Sequence, residues 1–321
     1  MNIYSNRNIA FLLFIILAAI LPFISLSTAE ATDILIFGFF AISFNVLLGF
    51  TGILSFGHGL YFGLGAYGTG LFLRWVDVSP ISLLAGVMLA SSIAAIVAYF
   101  CTIRRGVYFA LITVAFNQLF YFIFYSWRSF TGGDDGLIGI KRFSIDIPFL
   151  SSIPLSDHLF RYYFFFIIAV IAIYSIKRIL DSPFGLILQA LRDNEERVKC
   201  LGYDINKFRY SAFLLSGLFS GIAGSLYCIH LRYVGVNILH WLFSGQVIMM
   251  TLLGGMSTFF GPFVGAALFI FLRDFISRFT MHWQWFVGLL FIALTLGFRR
   301  GVLGRLAHYL EIRHKKNELI K

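Results

Sequence analysis

Charge is scarce in this chain, and so is every signature of catalysis. Asp, Glu, Lys and Arg make up 12% of its 321 residues and hydrophobic residues 59%, which excludes a soluble domain with a solvated surface. The few basic residues stand at the ends of apolar runs and in the C-terminal tail. A net charge of +10 spread in this way is not the clustered patch that nucleic acid requires, and membrane orientation accounts for it better. Cysteine is sparse too. Cys101, Cys200 and Cys228 stand far apart, with no C-x-x-C and no neighbouring His ligands, which excludes a disulfide framework and a zinc site. A phosphate-binding loop, a zinc-protease helix motif and a nucleophile elbow are all missing. The chain is therefore read as no enzyme, with no catalytic residue, no metal ligand and no cofactor of its own.

What fills the chain is apolar sequence, with a mean hydropathy of +0.86 and 39 Phe, the composition of an all-α polytopic membrane protein. A run from Ile9 to Leu26 follows Arg7. The Ala29-Glu30-Ala31 after it resembles a signal-peptidase site, but the length of the run favours a retained anchor. Further apolar stretches occupy residues 34–50, 52–73, 79–103, 106–127, 162–176, 210–231, 242–256, 258–272 and 283–298. Ten crossings put both termini on the cytoplasmic side of a prokaryotic plasma membrane, together with Arg104, Arg105, Lys177, Arg178 and a basic tail over 299–321, as the positive-inside rule requires. The junctions at Thr51-Gly52 and Ser257 have no charged anchor, and the segments 242–256 and 258–272 are short. Either pair can be read as broken or re-entrant helices buried in protein, so the expectation is eight to ten transmembrane helices in a single domain over 1–321. One long external loop covers 128–161. Its Thr131-Gly132-Gly133-Asp134-Asp135-Gly136 reads as a turn, because the alternating ligands and closing Glu of a calcium loop are absent.

No Asp, Glu, Lys or Arg falls inside the apolar stretches so drawn, which removes the usual intramembrane proton carriers. Sodium binding by the carbonyls of broken helices stays open. The embedded polar residues Asn45, Ser55, His58, Asn117 and Gln118 are candidates for lining a translocation path, with a purely structural hydrogen bond an equal reading for His58. Gly52, Ser55, Gly59, Gly63, Ala66 and Gly70 recur three or four residues apart, giving one helix a nearly bare face for close packing. Gly217, Gly221 and Gly224 repeat the device, and Gly255, Gly261 and Gly265 are assigned the same role.

One polar island, Asp181 to Asp204, interrupts this apolar sequence. Ser182 can cap a helix there, with Pro183 at its first position and Gly202 as a left-handed stop. Phe184, Ile187, Leu188, Leu191, Val198 and Leu201 recur at helical spacing, while Arg192 with Glu196, Asp193 with Arg197, and Glu195 with Lys199 stand four apart. The expectation is one amphipathic helix of about five turns facing water or a soluble partner.

Five ordered blocks resemble the LivM-type permease subunits of branched-chain amino acid ABC importers. They are Asn45-Val-Leu-Leu-Gly-Phe-Thr-Gly-Ile-Leu-Ser-Phe-Gly-His58, Arg105-Gly-Val-Tyr-Phe-Ala-Leu-Ile-Thr113, Thr131-Gly-Gly-Asp-Asp-Gly-Leu137, the island, and Leu253-Gly-Gly-Met-Ser-Thr-Phe-Phe-Gly-Pro-Phe-Val-Gly265. In the last block the family's Gly-Thr is replaced by Ser257-Thr258. The resemblance implies an inner-membrane permease that works beside a second, LivH-type permease, two LivG/LivF-like ATPase subunits that hydrolyse ATP with Mg, and an extracytoplasmic substrate-binding protein. It also implies that the segment 181–207 is a cytoplasmic coupling element. Phe184, Leu188, Leu191, Arg192, Asn194, Glu195, Glu196, Leu201 and Gly202 are its expected ATPase-facing residues. The alternatives are a urea or amide importer of the same class, or a stand-alone ion-coupled transporter.

Overall fold

The computed structural model describes residues 3–25, 27–75, 79–104, 106–141, 143–145, 153–154 and 157–282, together with 284–286, 288–289 and 292. The tail over 299–321, Arg105 and most of the 283–298 stretch lie outside the described residues. In hydrocarbon every backbone N–H and C=O needs an internal partner, so long apolar runs fold as helices. Among the described residues these are α1 (Ile3–Ile24), α2 (Thr28–Thr51), α3 (His58–Trp75), α4 (Ser79–Cys101), α5 (Val107–Ser126), the single turn α6 (Arg128–Thr131), α7 (His158–Leu180), α8 (Pro183–Asp193), α9 (Glu195–Cys200), α10 (Ile205–Leu231), α11 (Trp241–Gly254) and α12 (Gly261–Ser277). Five of them, covering Thr28–Thr51, Pro80–Cys101, Val107–Ser126, His158–Leu180 and Ile205–Leu231, are long and apolar enough to cross a bilayer. The loop before α7 holds, among the described residues, a 3-10 turn over Gly133–Asp135, a bridge from Leu137 to Val234, and a two-residue antiparallel pairing, β1 (Ser144–Ile145) with β2 (Ile153–Pro154).

The centre of the bundle is α10, which lies against α2, α3 and α4. Small residues set the spacing there. A Cβ added at Gly68 would stand 2.8 Å from the Gly86 Cα, and one at Gly217 would stand 2.5 Å from the Ala94 Cβ. A Cβ on Gly65 would run into the Gly221 backbone. Dispersion forces scale with such closeness, and in lipid they replace the hydrophobic drive between helices. The hairpin of α11 and α12 is built in the same way, with Gly254, Gly261 and Gly265 at the crossing, whereas Gly255, expected to pack there, ends α11 at φ 106° and serves the turn instead. Gly59, Gly63 and Gly70 do face neighbouring segments, namely Ile238 and Ser244, Leu239, and Leu137 with Cys228.

Two expectations are corrected here. The stripe from Gly52 to Gly70 is not one helix face. Gly52 ends α2 in the left-handed region at φ 74°, sending its N–H back to Leu47 and Leu48, and residues 53–57, with Ser55 among them, are non-helical before α3 starts at His58. Nor do the helices stop at the bounds of the apolar stretches, which themselves hold no Asp, Glu, Lys or Arg. Ser27 caps α2 by accepting the Glu30 N–H at 3.1 Å, so the helix begins ahead of its apolar run and carries Glu30 and Asp33, with Ala29-Glu30-Ala31 in its first turn. Asp33 meets Arg273 of α12 at 3.7 Å and stands 3.6 Å from His230 of α10, while Arg273 is also held by Asp274 at 2.7 Å, so the opposite charges carried inside these helices are paired with one another. The Thr131–Gly136 turn is as expected, with Gly132, Gly133 and Gly136 all at positive φ.

Candidate functional site

The island is two helices and not one. Asn194 adopts an extended conformation, φ −161° and ψ 103°, and its Oδ1 accepts the Arg197 N–H at 3.1 Å, so it closes α8 and caps α9. Glu195 and Glu196 then sit in the first turn of α9, where the helix dipole favours acids. That signal, Asn followed by two acids, was available in the sequence. Ser182 does not cap α8 either: its hydroxyl donates to the Ile179 carbonyl at 2.6 Å and so finishes α7. With the helix broken at Asn194, Arg192 and Asp193 no longer share a helix with Glu196 and Arg197, and only Glu195 and Lys199 of the expected four-apart pairs stay in one helix. Arg192 turns to Asp193 at 3.2 Å, and Glu195 pairs with Arg209 of α10 at 2.6 Å.

The apolar side of the island divides between inward and outward residues. Leu188, Leu191 and Val198 are buried within the chain, and Phe184 is half-buried, stacked on Phe208 at 5.6 Å between ring centres. Leu188 and Leu191 therefore hold the island to its own bundle, where α8 touches α2, α7 and α10. Leu201 faces outward at 74% exposed, joined by Leu186 at 64% and Tyr203 at 45%, two residues that periodicity had not picked out. Glu196 and Gly202 are exposed as well, Gly202 in the left-handed conformation expected of it.

Where the island meets the bundle, α2 ends. The Arg192 Nη1 donates to the Gly49 carbonyl at 2.7 Å, one of the four C-terminal carbonyls a helix leaves without partners of its own, and its side chain lies over Gly52. The non-helical residues beyond Gly52 are held by α5, where Thr113 Oγ1 accepts the Phe56 N–H at 3.1 Å, and by their own Ser55, whose Oγ accepts the Gly57 N–H at 3.1 Å. Irregular backbone at this depth is tolerated where it is buried in protein or lines a cavity, and both hold here. A cavity of about 720 Å³ opens between the 51–56 stretch, the start of α5, Arg104, and the 191–195 stretch of the island. The α11–α12 break approaches the same end of α2, because Asn45 Nδ2 donates to the Thr258 carbonyl at 3.3 Å.

The embedded polar candidates separate by environment. His58 is fully buried and bonds Ser216 Oγ through Nε2 at 2.7 Å, inside a set of serines, Ser43, Ser216 and Ser220, that ties α2 to α10. Its ring stands edge-on to Phe44 at 4.7 Å. This is helix-to-helix bonding, apart from the 720 Å³ cavity. Ser55 is buried in the break, and Asn45 joins the two breaks. Asn117 is fully buried, one turn above Thr113 and one turn below Tyr121, whose ring meets His240 edge-on at 5.0 Å. Neither polar atom of its carboxamide finds a hydrogen-bond partner among the described residues, and the same is true of Gln118 Oε1. Ser244, which sequence reading passed over, accepts the Gly59 N–H at 2.8 Å and so joins the start of α3 to α11.

A bundle of apolar helices with two unwound junctions, and a cavity walled by one of them and by a polar segment, is an arrangement that suits a membrane permease. The chain belongs to the family described as branched-chain amino acid transport system / permease component, whose model matches residues 26–297. It is 25% identical over 292 residues to the high-affinity branched-chain amino acid transport system permease protein LivM of Salmonella typhimurium, covering 85% of this chain and 69% of that one. It is also 25% identical over 310 residues to LivM of Escherichia coli strain K12, covering 90% and 73%. The guanosine ABC transporter permease protein NupQ of Bacillus subtilis is 30% identical over 101 residues, 32% of this chain and 30% of that one. No solved structure matches.

Proposed function

We propose that the chain is one of two permease subunits of an ATP-driven importer, carrying branched-chain or related amino acids. The other permease completes the translocation path, two ABC ATPases supply the work from the cytoplasm, and an extracytoplasmic binding protein delivers the substrate. The island is the cytoplasmic coupling element. One observation carries this reading: a polar segment that turns Leu186, Leu201 and Tyr203 outward is bonded on its inner side to the unwound end of α2, in the wall of the cavity. A mere connector has no reason to expose large apolar side chains on its outer side and bond a helix terminus on its inner side. In this orientation the charged cluster of Asp33, His230 and Arg273 lies at the outer end, with both termini inside, and the breaks at 53–57 and 255–260 line the path with Asn45, Ser55, Asn117 and Gln118. His58 serves the packing beside it. The substrate class follows the relatives whose likeness covers most of the chain. A nucleoside is the second reading, favoured by the likeness to NupQ over a third of it.

The test is to purify the chain in mild detergent, identify what travels with it, and measure uptake of labelled leucine and guanosine into proteoliposomes. Two ATPases and a second permease are expected, with leucine taken up only when ATP is present. A lone protein that accumulates substrate down a sodium gradient would overturn the proposal.

A further inference from the structure

The island is fastened to the bundle at two points, one on each side of its break. On the α8 side Arg192 Nη1 donates to the Gly49 carbonyl of α2 at 2.7 Å. On the α9 side Glu195 Oε2 accepts from Arg209 Nη2 of α10 at 2.6 Å. Between them stands one extended residue, Asn194, which separates the end of α8 at Asp193 from the start of α9 at Glu195. Four of these five bonded or hinged positions, Arg192, Asn194, Glu195 and Arg209, line the same cavity, and so does Gly52, over which the Arg192 side chain lies, three residues beyond Gly49.

We infer that Arg192 and Glu195 are a pair of transmission struts: a displacement of the island changes the separation of the α2 end from α10, and with it the width of the cavity mouth, by bending at Asn194. The inference rests on the coupling role proposed above and adds the residues that carry the movement inward. Each strut suits its task. The Arg192 guanidinium is a planar multiple donor that holds Asp193 and the helix carbonyl at once. Its carbonyl target has no helical partner of its own, so the contact also completes the C-terminus of α2. Glu195 and Arg209 are 22% and 12% exposed, a charge-assisted pair with little screening by water. Movement of α2 reaches further, because Asn45, one turn before Gly49, holds the α11–α12 break through Thr258. The two unwound junctions thus answer to one strut.

This assignment reverses the expectation that Arg192 and Glu195 belong to the ATPase-facing rim, and the two roles separate in experiment. The importer is purified with its ATPases bound, and ATPase retention, ATP hydrolysis and the nucleotide-dependent change in amide hydrogen exchange over 47–57 are measured. Arg192→Ala is expected to retain the ATPases and hydrolyse ATP within about twofold of wild type while the exchange change at 47–57 shrinks about tenfold, the loss that follows from removing one charge-assisted bond. Arg192→Lys, with one donor able to reach the same carbonyl, keeps most of that change. Glu195→Gln shows the same uncoupling, and exchanging the partners by combining Glu195→Arg with Arg209→Glu restores the response. Loss of ATPase retention in Arg192→Ala would place Arg192 in the rim and overturn the inference. So would a wild-type exchange response in Arg192→Ala, or a partner exchange that does not restore it. Failure of the coupling reading itself shows differently, since the unmutated chain would then hold no ATPase.

Discussion

His58 and Ser216 are locked in one hydrogen-bonding sense. The Ser216 hydroxyl donates to the Ser43 carbonyl at 2.7 Å, so the 2.7 Å contact with His58 requires the imidazole Nε2 to carry the proton and donate it. His58→Gln can present an amide donor in the same place and is expected to stay within about 1 kcal/mol of wild-type stability. His58→Leu leaves the serine's acceptor position empty in a dry interface and should cost about 1 to 3 kcal/mol. Thermal unfolding in detergent checks both, and uptake by His58→Gln near wild type separates a packing residue from a transport residue.

The glycines of the central crossing give a steric prediction with an internal control. Gly65→Ala drives a methyl into the Gly221 backbone and is expected to destabilise by about 1 to 3 kcal/mol. Gly245→Ala, in helix α11 with nothing within 4 Å of the new carbon, should be neutral or slightly stabilising. Equal melting temperatures for the two variants would show that the α3–α10 contact is looser than described.

Thr113 governs the α2–α3 junction from a distance. Thr113→Val keeps the shape but removes the acceptor of the Phe56 N–H, leaving a part-buried donor unpaired at a cost of about 1 to 3 kcal/mol. Because that donor lies in the unwound segment, the loss should be local. Faster hydrogen exchange over 53–57 is expected, with exchange across α10 unchanged.

The island offers a contrast between its two apolar sides. Leu188→Ala opens a cavity in the bundle and should cost about 2 to 5 kcal/mol of stability. Leu201→Ala and Leu186→Ala should leave stability untouched while weakening ATPase retention about thirtyfold if they anchor the interface. Detergent pull-down of the ATPases against melting temperature distinguishes the two effects. Retention lost in Leu188→Ala alone would relocate the docking face.

Much of this architecture was legible because lipid imposes a simple rule: apolar runs must be helices, so Thr28–Thr51 or Ile205–Leu231 announce themselves. The breaks at Thr51-Gly52 and Ser257 were visible as junctions without charged anchors. What escaped was decided by single hydrogen bonds between distant residues. Periodicity runs straight through Asn194, because apolar spacing does not register that its side chain prefers to cap a new helix over continuing the old one. Arg192 looked like a surface charge since nothing local shows that Gly49, 143 residues away, offers it a carbonyl. The inward–outward division of Leu188 and Leu201 is likewise tertiary. Both are leucines at helical spacing, and only the bend between them sends one in and the other out.

The bonds that hold the unwound junction also fix when it can take shape during synthesis. Phe56 waits for Thr113, 57 residues later, Gly49 for Arg192, 143 later, and Asn45 for Thr258, 213 later. Until those later residues are made, the bend between α2 and α3 lacks these three bonds. A nascent chain stopped before residue 258 would already hold every long helix of the bundle's centre, yet leave the junction at the cavity unfinished. The last of those partners, Thr258, lies in the final fifth of the chain, so the junction has its full set of bonds only once most of the protein exists.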